Sequence, residues 1–263
     1  MPPAKKRTRS YDSAKIRAAV LAQFGHVADA VRGLAPDRLA RPSGLGEWTV
    51  ADLAAHIAWV ADSLAGSLDR PPAAKGEILP HQWPFTTVAL SAKIADAARE
   101  TLTGAPLPEL YERAGTRLAQ ALAAHDDERV LDLWIGPMRL GDFLVTRTVE
   151  LVVHTDDLNR AAGLDIPLDR QALAACTRLL ADALAAKAPG GAVEVRIPPF
   201  AVVQCVEGPR HTRGTPPNVV ETDPLTWIRL ATGRTGWAAE RDAARVSASG
   251  ERADLAGLLP LMS

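Results

Sequence analysis

The sequence predicts a mixed α + α/β fold. A bundle of four main helices is expected over residues 13–163 and a small α+β module over 164–263, behind a disordered basic tail at 1–12. Three observations carry that expectation. Up to Gly163 the apolar residues recur at steps of three and four, the spacing of one helical face. Beyond Pro189-Gly190-Gly191 the period drops to two, with Val193, Val195 and Ile197 alternating with Glu194 and Arg196. Between them the run 140–162 is apolar nearly all round, yet it carries four ionisable groups on one side.

The tail, MPPAKKRTRS, is basic and lacks the apolar segment of a signal peptide. A helix is expected over 13–34 from Ile16, Val20, Phe24, Val27, Val31 and Leu34, with His26 on its outer side. Pro36, Pro42, Gly44 and Gly46 mark 35–46 as a loop. Thr49, with Asp52 three residues on, suits the start of a second helix close to a capping box. Its buried stripe is Val50, Leu53, Ile57, Val60 and Leu64; His56 falls at the edge of that stripe. Trp48 and Trp59 lie on the neighbouring face, where they either wall a cleft or simply pack. After Arg70-Pro71-Pro72 the chain to Pro84 has no periodicity and reads as a long connection holding His81 and Trp83. Helices follow over 86–103 and 107–125. In the next connection, 125–136, the run Asp126-Asp127-Glu128-Arg129 is read as a solvated turn. The helix 140–162 closes the bundle.

The second module opens with an amphipathic helix over 168–187, which could belong to either half. Strands are expected at Val193–Ile197, 200–206, 218–221 and 245–249. Asp223-Pro224 is an N-cap followed by proline at the first helical position, opening a helix over 225–232. A last helix is expected over 252–259. Arg210, His211 and Arg213 fall in the turn-rich stretch 207–217.

Composition removes several function classes. A net charge of −1 gives no general reason to expect nucleic acid or an acidic membrane surface as partner. No run approaches the roughly 18 apolar residues that a membrane span needs. The two cysteines, Cys176 and Cys205, have no metal-ligand neighbours, which fits a reduced cytoplasmic setting with two buried thiols.

The face of 140–162 holds the chemistry. Arg147, Glu150, His154 and Asp157 fall within an arc of roughly 80° on a helix. Ionisable groups on a buried helix are costly unless paired or bound to a metal. Glu150 and His154 are one turn apart, so both can reach a common point, and both are standard Zn²⁺ ligand types. Asp157, one turn further, is placed to orient the imidazole. The competing reading is a buried ion-pair network in which Arg147 pairs with Glu150.

The segments WTVADLAAHIAWV (48–60) and RTVELVVHTDDL (147–158), with the tail DPLTWIRLATGRTGW…VSASGERADLAGLLPL, resemble the mycothiol-dependent maleylpyruvate isomerase family. The resemblance implies a DinB-like metal-binding helical bundle, with a C-terminal part similar to bacterial sterol-carrier-like domains. It implies that His56 joins Glu150 and His154 in holding a divalent ion, Zn²⁺ being the first choice. Such an N₂O set leaves a position open, the pattern of catalytic zinc. In the family that position takes mycothiol as thiolate. The thiolate adds to a substrate double bond, rotation follows, and elimination gives the other geometric isomer; related bundles transfer the thiol to an electrophile instead. The family also uses a basic C-terminal residue to hold a substrate carboxylate, for which Arg210 and Arg213 are candidates by residue type. The partners implied are a small-molecule thiol and an electrophilic substrate. A reading from a different class is a carrier of lipid- or sterol-like ligands, with an apolar ligand in the C-terminal module and the bundle as scaffold.

Overall fold

The computed structural model describes residues 9–75, 78–86, 96–97, 100–101, 105–208 and 216–262. Helix α1 (Ser13–Arg32) is capped by Asp12, whose side chain accepts from the Lys15 N–H at 3.0 Å. It buries Ile16, Val20, Phe24, Val27 and Val31, the expected stripe. Of the expected tail, residues 9–12 are described, and they are held: Arg9 makes two hydrogen bonds to Asp182, at 2.8 and 3.0 Å. The stretch read as a loop at 35–46 contains a four-residue helix, α2 (Pro36–Leu39). Pro36 starts it, because its fixed φ suits the first helical turn and it has no N–H to leave unpaired.

Helix α3 (Val50–Leu68) begins at the expected capping box. The Asp52 carboxylate accepts from the Thr49 N–H at 2.8 Å, and the Thr49 hydroxyl accepts from the Asp52 N–H at 3.2 Å. Such a cap stabilises a helix by about 1 kcal/mol. Pro80–Phe85 forms a 3₁₀ helix inside the connection read as structureless, and Trp83 is buried there. Of the helix expected over 86–103, residues 96–97 and 100–101 are helical and most of the others lie outside the described residues. Helix α4 (Leu107–Ala124) packs on α1 and α3. Its Tyr111 stacks on Phe24, centroids 5.3 Å apart, and donates its hydroxyl to the Ala54 carbonyl at 2.8 Å.

The run at 126–129 is more than a solvated turn. Arg17 of α1 donates to Asp127 at 2.8 Å, and Arg129 donates to the carbonyls of Leu68 and Arg70 at 2.9 and 2.8 Å. Next to it, strands β1 (Val130–Leu131) and β2 (Met138–Arg139) pair antiparallel. Helix α5 (Leu140–Ala162) has the bounds its pattern predicts. It ends at Gly163, whose φ of +63° is a left-handed cap that a side chain would strain.

Helix α6 (Arg170–Lys187) follows, capped by Asp169. Strands β3 (Val193–Ile197), β4 (Ala201–Cys205), β5 (Val219–Thr222) and β6 (Val246–Ser249) form a sheet in the order β4-β3-β5-β6. The β3–β5 pair is parallel; the other two pairs are antiparallel. Helix α6 packs on β4 and also on α1 and α5, so one continuous core joins the helical and sheet-containing halves. Helix α7 (Pro224–Ala231) is capped by Asp223 as expected. Two elements of the C-terminal half differ from the sequence reading. Helix α8 (Trp237–Asp242) was not expected, and the helix expected over 252–259 is only a 3₁₀ turn at Ala256–Leu258. Gly257 weakens a helix there, and Pro260 has no N–H to continue one. Cys176 and Cys205 are free and buried, and burial pushes the Cys176 thiol well above its ordinary pKa. No helix among the described residues is long and apolar enough to cross a membrane.

Candidate metal centre

Helices α3 and α5 pack side by side and turn three side chains toward one point. The Nε2 atom of His56, from α3, lies 3.3 Å from Glu150 Oε2. The Nε2 atom of His154, one turn beyond Glu150 on α5, lies 3.2 Å from the same oxygen. One ligand-type atom from each of the three residues falls within 4.8 Å of the others. The two rings meet edge to face, centroids 4.8 Å apart. An i,i+4 pair on one helix and a single histidine on its neighbour are therefore within mutual reach.

The charges are set by burial and by these contacts. For Glu150, burial alone would raise the pKa. Hydrogen bonds from His154 and His56 and the nearby Arg147 charge overcome it and hold the carboxyl well below its ordinary value. His56 is 2% exposed, and burial lowers its pKa against the Glu150 contact, which favours a neutral imidazole. Burial also opposes charge on His154, but hydrogen bonds with Asp157 and Glu150 outweigh it and raise that pKa. The donor set fits a divalent ion: two imidazole nitrogens and an ionised carboxylate, close together in a mostly buried place. Among the described residues His56 Nδ1 is buried with no hydrogen-bond partner, and the ring's polar contact is on the side facing Glu150.

Asp157 is fully buried and accepts from His154 Nδ1 at 3.1 Å. Arg234 donates to it at 2.9 Å through Nη2, and Arg160 at 2.5 Å. Burial would raise the Asp157 pKa, but the hydrogen bonds and charges of His154 and Arg234 hold it far below the ordinary range. Arg147 is buried, its guanidinium 4.3 Å from the Phe143 ring centre and 5.3 Å from that of Trp83. It donates to the Thr146 hydroxyl at 3.1 and 3.2 Å and stays 3.9 Å from Glu150. The Arg147–Glu150 pair is thus long, and the closer partners of Glu150 are the histidines. Trp48 and Trp59 flank the His56 ring, at 5.3 and 5.8 Å between centroids. Trp134, 51% exposed, meets Trp59 edge to face at 5.6 Å and carries the aromatic wall to the surface.

Arg210, His211 and Arg213 lie outside the described residues. His26 is away from the centre and bonds to the Pro167 carbonyl at 3.1 Å. Sequence reasoning missed Arg160, Arg229, Arg234 and Trp134. The adjacent acids Asp156 and Asp157 on a buried helix were a signal for the arginines, because two buried carboxylates call for basic partners.

Residues 20–159 match the family described as mycothiol maleylpyruvate isomerase N-terminal domain, and residues 169–261 match that described as bacterial SCP ortholog. Two similar solved structures are a mycothiol-dependent maleylpyruvate isomerase and its histidine-to-alanine variant. Each gives a TM-score of 0.60 over 93% of this chain and 95% of its own, at 17% and 16% identity respectively. At that identity the likeness is one of fold. Comparison with curated proteins finds no match.

Proposed function

Because the chain belongs to the mycothiol maleylpyruvate isomerase N-terminal domain family, we propose that it is a metal-assisted enzyme of thiol chemistry. It acts as an isomerase or S-transferase on a small electrophile, with mycothiol as the thiol. The observation that carries this reading is the convergence of His56, Glu150 and His154 ligand atoms within 4.8 Å. A divalent ion held by these three, Zn²⁺ being the first choice, would supply a Lewis acid that lowers the pKa of a thiol or water at an open position.

The chain's own residues have separable tasks in this reading. Glu150, kept ionised, brings negative charge to the centre, and His56, kept neutral, offers a lone pair. Asp157 holds Nδ1 of His154, which leaves Nε2 facing Glu150. Arg147, buried against the Phe143 and Trp83 rings, keeps its positive charge beside the centre, 3.9 Å from Glu150. Trp48 and Trp59 keep water from His56 and offer ring faces to the thiol cofactor. The halves are proposed to divide near Gly163. The carrier reading has the C-terminal match as its support, whereas a cavity of about 450 Å³ is lined by residues of the N-terminal half, among them Tyr11, Ile16 and Val145.

The test uses the zinc-loaded full-length chain with and without mycothiol. Two probes are offered, a cis-unsaturated keto acid whose isomerisation is followed by absorbance and a haloarene whose consumption reports thiol transfer. Turnover of either probe that requires both zinc and mycothiol is expected. Turnover indifferent to mycothiol, or no mycothiol binding at all, overturns the reading.

A further inference from the structure

The C-terminal half grips α5 at its two adjacent carboxylates, and one of the two, Asp157, bonds directly to a residue of the metal centre. Arg229, on α7, makes a two-pronged contact with Asp156, at 2.8 and 2.6 Å. Among the described residues Asp156 meets Arg160, at 3.4 Å, and none of the three converging side chains, so it reaches Asp157 only through that exposed arginine. Arg234 lies just past the end of α7, beyond Gly233, whose φ of +73° turns the chain back. Its side chain is fixed from both ends. Nη1 donates to the Thr232 carbonyl at 2.8 Å, while Nη2 and Nε reach Asp157 at 2.9 and 3.3 Å. The Asp157 oxygen that takes the 2.9 Å bond from Arg234 is the one that accepts from His154 Nδ1.

Sharing that oxygen has a chemical consequence. Asp157 has no exposed surface, so its carboxylate can turn only as its donors allow. Arg160, the other donor, holds the opposite oxygen from the exposed side of the same helix. Without Arg234 the oxygen facing His154 loses its strongest external restraint, and the imidazole loses a fixed acceptor. Partners of this kind fix the tautomer and direction of a ligating histidine, and their loss typically costs 10–100-fold in metal affinity.

We propose that Arg234 is a positioning residue for the metal ligand His154, acting through Asp157, so that the C-terminal half completes a centre whose three ligands all come from the N-terminal half. This inference rests on the metal site proposed above. A plain docking role for the two arginines makes a different forecast, because Arg229–Asp156 and Arg234–Asp157 would then be interchangeable contacts between the halves.

The experiment measures zinc affinity of full-length protein by competition with a chromophoric chelator. Wild type comes first: failure to bind zinc removes the site itself, whatever Arg234 does. With wild type binding one zinc, Arg234→Gln should weaken affinity about tenfold or more. Arg229→Gln, the matched control, should change it less than about threefold, a change too small for a lost histidine orienter. Arg234→Lys, which keeps the charge without the fork, should recover part of the loss. Asp157→Asn combined with Arg234→Gln should lose little more than Asp157→Asn alone, since both act on one path. Equal losses in the two arginine variants, an unchanged affinity in Arg234→Gln, or additive losses in the double variant each overturn the proposal. Should Arg234→Gln fail to fold, Arg234→Lys decides: affinity equal to wild type, with the melting temperature lowered, makes Arg234 a docking residue only.

Discussion

His154 and His56 reach the same Glu150 oxygen from two helices, and the protein holds them by opposite means. His154 is held by hydrogen bonds. Its far nitrogen meets Asp157, which is gripped in turn by Arg160 and Arg234. His56 is held by packing, between the Trp48 and Trp59 rings, and its far nitrogen has no partner among the described residues. A polar anchor fixes direction and raises basicity; an apolar one fixes position and disfavours charge. The opposite pKa shifts of the two rings follow from that difference.

The largest expected effect comes from removing either ring. His154→Leu and His56→Leu should each abolish stoichiometric zinc binding while the helices persist by circular dichroism. Their metal-free stabilities should differ. His154→Leu breaks contacts with both Asp157 and Glu150, whereas His56→Leu breaks one and removes an unpartnered nitrogen. The first should be less stable than the second by about 1–3 kcal/mol in urea unfolding. Equal stabilities would erase the comparison.

Next in size is Asp157→Asn, expected to weaken zinc affinity about 10–100-fold while the protein stays folded. An unchanged affinity in a chelator competition would detach Asp157 from the centre. This residue also marks how far the sequence could be read. Helical spacing alone puts Glu150, His154 and Asp157 on one face, and the bounds of α5 followed from its pattern and Gly163. His56 needed the family resemblance, because an edge position on one helix does not say which neighbour it meets. Arg234 lies 77 residues beyond Asp157, and a basic residue after a glycine looks like an ordinary turn. Trp83 stood out only as part of a long connection, whose lack of periodicity gave no sign that its indole covers Arg147. The four-residue α2 and the 3₁₀ turn at Ala256–Leu258 are too short for apolar periodicity to resolve.

A smaller effect, in pH dependence, separates the two rings without metal. A histidine with a raised folded-state pKa gives stability that is complete below its unfolded value, about 6.5, and lost as pH rises through the folded value. One with a lowered pKa does the reverse: stability rises with pH up to about 6.5. In metal-free protein, His56→Leu, which keeps His154, should therefore lose stability as pH climbs above about 6.5. His154→Leu, which keeps His56, should gain stability as pH climbs toward that value. Each slope is at most about 1.4 kcal/mol per pH unit. Unfolding series with the same slope in both variants would contradict the opposite shifts. The smallest effect is expected at Tyr111→Phe, which removes the hydroxyl bonded to the Ala54 carbonyl two residues before His56. A loss of about 1 kcal/mol in unfolding free energy is expected, with zinc affinity little changed.

The most direct measurement is the mass of the intact folded chain, stripped by chelator and then titrated with Zn²⁺ under native conditions. One zinc per chain is the expected result, absent when His56, Glu150 and His154 are replaced together by alanine, glutamine and alanine. No zinc on the wild-type chain, or one zinc that survives in the triple variant, would contradict a metal centre at these three residues.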